Sequence, residues 1–301
     1  METPKPIKDV KVKRTQLFIN NQFVDSVSGK TFDSINPATE DVICQVQEGD
    51  KADVDKVVEA ARVAMKRGSP WRKISPTEQG QLLYRMAEII DRDRAYIASV
   101  EVLDNGKPFT AAQWDLKAGA DCLRFYAGYC DKIEGKTLAM PDGKFAYTRY
   151  EPIGVVAAIT PWNFPFMLTA FKIAHALAAG NAIVLKPPEQ TPLASLIFGD
   201  IALEVGVPAG VINIIPGYGP TAGGALSSHP HVNKVSFTGS TEVGHLIQTA
   251  SGDTNLKRVT LELGGKSPLI ICKSADLKKC VPLAQDACFV NMGQTGCAAE
   301  S

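Results

Sequence analysis

The stretch Leu261-Glu262-Leu263-Gly264-Gly265-Lys266-Ser267-Pro268 offers one carboxylate between leucines, followed at once by two glycines. Apolar neighbours predict desolvation, which raises a carboxyl pKa toward the range of a general base at neutral pH. The glycine pair permits a tight turn and close backbone approach to a ligand. Val259-Thr260-Leu261 before it and Pro268-Leu269-Ile270-Ile271 after it read as short buried strands. Taken alone, such residues more often describe a solvated turn acid, so the choice rests on what accompanies it.

Three other stretches carry chemistry. In Pro161-Trp162-Asn163-Phe164-Pro165 two prolines hold an amide in a fixed bend, which suits a preorganised hydrogen-bond donor or simply a turn around a buried Trp. Lys186-Pro187-Pro188-Glu189-Gln190-Thr191-Pro192 holds an ammonium and a carboxylate three residues apart, able to grip a ribose diol or to be a solvated loop. Thr238-Gly239-Ser240-Thr241-Glu242-Val243-Gly244 opens a helix whose free N–H groups suit a pyrophosphate, or is an N-cap with no ligand. It lacks the middle glycine of G-x-G-x-x-G.

All three follow predicted strands. From Val155 onward, strands at 155–160, 182–186, 211–214 and 232–237 alternate with helices at 166–179, 192–205, 221–227 and 241–250. Apolar strands spaced by helices predict an α/β fold with a doubly wound parallel sheet, in which ligands bind at the carboxyl ends of the strands. Before this lie a hairpin over 16–25 turning at Asn20-Asn21, strands at 31–35 and 42–47, and a helix capped by Asp50. A Ser75-Pro76-Thr77-Glu78 capping box opens the next helix. Further helices are predicted over 91–103, ending at Asn105-Gly106-Lys107-Pro108, and over 111–133. These first elements read as supporting, with no catalytic residue among them. Phe145–Glu151 alternates aromatic and polar residues and predicts an exposed strand that invites pairing with another subunit or domain.

Composition narrows the partners. With 301 residues, 45% of them hydrophobic, the chain can bury a large core in two domains or one with appendages. Lys+Arg and Asp+Glu balance at 32 each, so neither nucleic acid nor a polybasic membrane contact is expected. No apolar run reaches bilayer length, and residues 1–14 do not read as a secretory signal. Seven cysteines without CxxC spacing suit reduced thiols in the cytoplasm, and the His229/His231 pair is not expected to bind metal.

Together the four stretches, from the Leu17–Phe23 hairpin through Asp104-Asn105-Gly106-Lys107-Pro108 to Gly293-Gln294, resemble the NAD(P)-dependent aldehyde dehydrogenase family, nearest its cytosolic and retinal-type branch. The resemblance implies a thiolate that attacks the aldehyde and an oxyanion held by Asn163 and a backbone N–H. Hydride passes to nicotinamide, and Glu262 activates water against the thioester. It implies NAD as cofactor, with NADP possible: Lys186 and Glu189 on the adenosine ribose, Ser240 on the pyrophosphate, and close backbone approach at Gly217, Gly239 and Gly244. Ile159, Thr160, Pro161, Trp162, Glu262, Leu263 and Gly264 complete the implied cofactor set. It further implies a dinucleotide-binding domain over 1–133 and 153–263, an oligomerisation hairpin over 134–152 serving a homodimer or homotetramer, and the start of a truncated catalytic domain over 264–301.

The family pattern Gly-Gln-x-Cys meets Gly293-Gln294-Thr295-Gly296-Cys297, so glycine takes the nucleophile's place and the thiol of Cys297 falls one residue late. Cys297 is expected to be misaimed unless a local bulge brings it round. The nicotinamide-ribose acid and the substrate tunnel are expected beyond residue 301. Three readings follow: part of an active NAD-dependent aldehyde dehydrogenase, a catalytically silent relative of the lens-crystallin kind, or a free-standing dinucleotide-binding module.

Overall fold

The computed structural model describes residues 4–299. Asn20 and Asn21 both take positive φ, 52° and 61°, the pair of left-handed residues a two-residue hairpin turn requires. They join β1 (Leu17–Ile19) to β2 (Gln22–Val24). β3 (Thr31–Ile35) and β4 (Val42–Gln47) form a separate antiparallel pair at the expected positions. The helices α1 (Lys51–Met65) and α3 (Pro76–Arg92) open on capping boxes at Asp50/Asp53 and Ser75/Glu78. Between them lies α2 (Pro70–Lys73), a single turn carrying the buried Trp71.

The helix expected over 91–103 is α4 (Arg94–Asn105), starting after α3 has run on to Arg92 and stopping at Gly106, whose φ of 81° favours glycine. α5 (Phe109–Ala127) ends at Gly128, earlier than the expected residue 133. The exposed strand expected over Phe145–Glu151 shrinks to β6 (Ala146–Tyr147), paired with β5 (Thr137–Leu138) of the same chain. Its aromatic residues Phe145, Tyr147 and Tyr150 remain exposed.

The main sheet holds β7 (Val155–Ile159), β8 (Ala182–Lys186), β9 (Ile212–Ile214), β10 (Lys234–Thr238) and β11 (Arg258–Glu262), all parallel, in the order β11-β10-β7-β8-β9. The β1–β2 hairpin adds to β9 antiparallel, so the doubly wound sheet is mixed at that edge. α6 (Pro165–Ala178) and α7 (Leu193–Val205) connect the central strands. A π-helical turn (Gly219–Gly223) leading into α8 (Gly224–Ser228), then α9 (Thr241–Gly252), completes the crossovers. β7, β8 and β9 are buried throughout, as strands covered on both faces must be, whereas β11 at the edge alternates exposed and half-buried.

The segment after β11 departs from expectation. Pro268–Ile271 does not form a buried strand: only Pro268 makes an isolated bridge, and Ile270 is 83% exposed. The chain continues to α10 (Leu277–Phe289), which buries none of its residues. A local apolar run cannot be buried where no described element packs over it.

Candidate active site

Strand order reverses at β7: its crossovers lead to β8 and β9 on one side, and β10 and β11 follow on the other. This is the switch point of the sheet, where the crossover loops diverge and leave a crevice. A cavity of about 600 Å³ opens there, between the carboxyl ends of β7 and β10. Ile159, Thr160, Pro161 and Trp162 line it from β7 and its loop, Lys186 and Glu189 from the end of β8, and Gly239 and Ser240 from the end of β10. Eight of the residues singled out by sequence therefore meet in one place.

Lys186 is 2% exposed, and its ammonium donates to the Glu189 carboxylate at 3.1 Å and to the Pro187 carbonyl at 2.9 Å. Burial lowers the Lys186 pKa, opposed by the Glu189 charge. The Thr160 hydroxyl is buried with no hydrogen-bond partner among the described residues. Such an orphan polar atom on a cavity wall fits a polar ligand. Ser240 is the N-cap of α9, its hydroxyl accepting from Val243 N–H at 3.3 Å, so the cap and a free helix N-terminus coexist at the cavity edge.

Two of the expected glycines are constrained by packing as well. A Cβ on Gly217 would lie 2.4 Å from the Gly49 carbonyl oxygen, so this glycine serves loop packing behind the cavity. A Cβ on Gly244 would lie 2.9 Å from Leu263 Cδ2, so this one lets α9 settle on β11. Neither residue lines the cavity.

A second group gathers beside the cavity mouth. The Asn163 side-chain amide donates to the Gln294 carbonyl at 2.6 Å, bringing the chain's last described turn onto the proline-bracketed loop. Gly296 packs against Leu263 and Gly264, since a Cβ built on it would stand 3.6 Å from the Leu263 carbonyl and from the Gly264 Cα. The amide of Asn163, the Leu263–Gly264 strand end and Gly296 are therefore neighbours. The Cys297 thiol is exposed.

Glu262 corrects the sequence reading: it is exposed, on the open face of the edge strand, and is not desolvated. Alternation places its neighbours Leu261 and Leu263 toward α9, so flanking leucines do not enclose it. Lys172 of α6 lies near it on the same face, its buried amine donating to Ser236 Oγ at 2.9 Å. Burial lowers the Lys172 pKa to about 8, with the Glu262 charge opposing the shift.

Comparisons with known proteins give the family. Residues 23–301 match the Aldehyde dehydrogenase family. The chain is 53% identical over 297 residues to a retinaldehyde dehydrogenase 3 from Homo sapiens, covering 98% of this chain and 58% of that protein. It is 54% identical to a mitochondrial aldehyde dehydrogenase from Sus scrofa, covering 98% of this chain and 57% of that one. The NAD+ complex of an aldehyde dehydrogenase from Bacillus cereus superposes with a TM-score of 0.92 at 44% identity, over 95% of this chain and 58% of that structure. The chain belongs to the aldehyde dehydrogenase family.

Within that family assignment, the chain spans somewhat more than half the length of the relatives it matches. The structure also shows what sequence reasoning about an aldehyde dehydrogenase missed: its first third reaches the site. Asn105 Nδ2 and Thr191 Oγ1 both donate to the Trp162 carbonyl, at 2.6 and 3.3 Å. Lys107 Nζ donates to the Asn163 carbonyl at 2.9 Å, as does Asn291 Nδ2 at 3.0 Å. Lys107 also pairs with Asp115 and lies 3.4 Å from Glu101, all three fully buried. The signal available was a lysine between Gly106 and Pro108 at a helix end, which reads more simply as a stop.

Burial pushes the Glu101 carboxyl up to about 7 from an ordinary 4.5, against the pull of Lys107. The native state thus holds this proton where the unfolded chain has lost it, and stability falls as pH rises from 4.5 to 7. Glu101→Gln has no proton to lose. Its stability relative to wild type is expected to climb across that window by about 3 kcal/mol and then level off. Denaturant unfolding at half-unit pH steps measures this; a pH-independent difference between the two proteins contradicts it.

Proposed function

We propose that the protein oxidises aldehydes to carboxylic acids with NAD, and that this chain's switch-point cavity holds the dinucleotide. The observation carrying the reading is the cavity itself: a buried Lys186–Glu189 pair, an orphan Thr160 hydroxyl and the N-terminus of α9 converge on it in a member of this family. Lys186 and Glu189 would bind the adenosine ribose, the carboxylate accepting from its hydroxyls and the ammonium donating. The α9 N–H groups and Ser240 would take the pyrophosphate. A carboxylate at the ribose favours NAD, while the adjacent ammonium leaves NADP tolerated. When bound, the nicotinamide supplies the hydride acceptor.

The chain's own residues supply the remaining chemistry. Asn163 offers an amide donor to a developing oxyanion, and a substrate oxygen would compete with the Gln294 carbonyl that now occupies it. Glu262 would take a proton from the hydrolytic water, with the Lys172 amine near it on the same face. The same reading assigns residues 1–133 and 153–263 to dinucleotide binding, 264–301 to the start of a catalytic domain, and 134–152 to contacts between subunits of a homodimer or homotetramer. Exposed Phe145, Tyr147 and Tyr150 support the last of these. Seven free cysteines support a reducing compartment such as the cytoplasm. Among the described residues no helix is long and apolar enough to cross a membrane.

Isothermal titration of the 301-residue chain with NAD tests the cavity assignment. One saturable site is expected, and no saturable binding overturns the reading.

A second reading, a catalytically silent dinucleotide-binding relative, is favoured by Gly296 at the nucleophile's place beside an exposed Cys297. For the 301-residue chain alone we expect no NADH from an aldehyde above the uncatalysed background. NADH formation lost in Cys297→Ala would show that the displaced thiol works after all. The site has room for the family's nucleophile, because a Cβ on Gly296 meets only ordinary contacts at 3.6 Å. Gly296→Cys is therefore expected to change stability by less than about 0.5 kcal/mol. A thermal melt showing a loss several times larger would mean that the position is closed.

A further inference from the structure

Among the described residues the ammonium of Lys107 is the one cation in a buried cluster with two acids, Glu101 and Asp115. Neutralising Asp115 alone would need a single ion pair, and the cluster does more than that. Glu101 approaches at 3.4 Å without completing a hydrogen bond, and both its oxygens are otherwise unpartnered among the described residues. Lys107 instead directs an N–H at the Asn163 carbonyl and lies 4.6 Å from the centroid of the Phe164 ring. It therefore grips the two residues on either side of one peptide bond. Asn291 donates to the same carbonyl. An amide plane held through its carbonyl by two donors cannot rotate freely, and its orientation sets where the Asn163 side chain starts.

We propose that Lys107 is a positioning residue for Asn163, fixing the Asn163–Phe164 peptide so that the side-chain amide stays aimed at the Gln294–Gly296 segment. The function of that amide as an oxyanion donor rests on the reading above; its placement is measured here without turnover, so the two ideas fail separately. Asp115 and Glu101 act through Lys107, holding its charge and its direction in a site that water does not reach.

The test uses the 301-residue chain labelled with ¹⁵N-asparagine, the Asn163 side-chain amide signals being assigned by their loss in Asn163→Asp. The variant Glu101→Gln/Lys107→Met/Asp115→Asn removes all three ionisable groups together, so no unpaired buried charge is left to unfold it. It is expected to melt close to wild type while its Asn163 amide protons exchange about tenfold faster, asparagines away from this loop and from Asn291 being unchanged. If Lys107 served only to neutralise the two acids, this variant would show wild-type exchange at Asn163, and the proposal would be overturned. Should the triple variant not fold, the wild-type protein decides. A slowly exchanging Lys107 ammonium signal with through-hydrogen-bond coupling to the Asn163 carbonyl carbon is expected, and a resolved ammonium signal without that coupling overturns the proposal.

Discussion

Lys186→Ala is expected to weaken NAD binding by this chain about a hundredfold, since hydrogen bonds from a charged group contribute roughly 1.5–3 kcal/mol each. Two effects add. The variant loses an ammonium that is already buried, aimed and partly desolvated, so little ordering is needed when a ribose arrives. It also strips Glu189 of its partner, and an unpaired carboxylate on the cavity wall resists burial beneath a ligand. Lys186→Arg is no substitute, because a planar guanidinium does not fit a space shaped to a point charge at 2% exposure. Titration of both variants with NAD checks this. Unchanged affinity in Lys186→Ala would move the ribose away from the end of β8, and with it the assignment of the cavity.

The largest loss of stability is expected at a residue far from any chemistry. Trp71 sits on the single turn of α2, 1% exposed, and its indole N–H donates to the Gly180 carbonyl at 3.0 Å. Gly180 lies in the turn between α6 and β8, with φ at +72°, directly behind the strand that carries Lys186. Trp71→Ala removes a large buried side chain and leaves a buried carbonyl unpaired, a combination expected to cost about 4 kcal/mol. Trp71→Phe keeps most of the packing and loses the hydrogen bond, so about half that loss is expected. Denaturant midpoints at constant m-value separate the two. Equal losses would show that the hydrogen bond, and not the volume, holds α2 against the sheet.

The second prediction depends on how the first third of the chain meets the sheet, and that was the least legible part of the sequence. The short-range features were readable because their causes are local. Two adjacent asparagines specify a hairpin turn, Ser75 and Glu78 specify a capping box, and Gly106 specifies a helix end. The strand–helix alternation after Val155 was readable for the same reason. Because ligands in such sheets collect at strand ends, the Trp162, Lys186 and Ser240 stretches could be assigned to one site before any fold was seen.

The failures share one cause. Glu262 between leucines reads as buried, and Pro268–Ile271 reads as a buried strand, but burial belongs to the surroundings of a segment and not to the segment. β11 lies at the sheet edge, where one face meets α9 and the other meets solvent, so alternation alone exposes Glu262. The family resemblance implies cofactor approach at Gly217 and Gly244, and no local signal shows that the Gly49 carbonyl and a Leu263 side chain also crowd these two glycines. Lys107 was passed over because its partners stand at positions 101, 115 and 163, and no sequence window holds all four.

The sequence by itself determined the fold class, the family and the loops that meet at the switch-point cavity. Those depend on residue type, short spacing and the order of elements along the chain. Only the tertiary structure decided which acid is buried and which exposed, which glycines face the cavity, and which distant cation holds Asn163. Burial and charge pairing are set by what packs across space, and that is settled only when the strands have taken their order in the sheet.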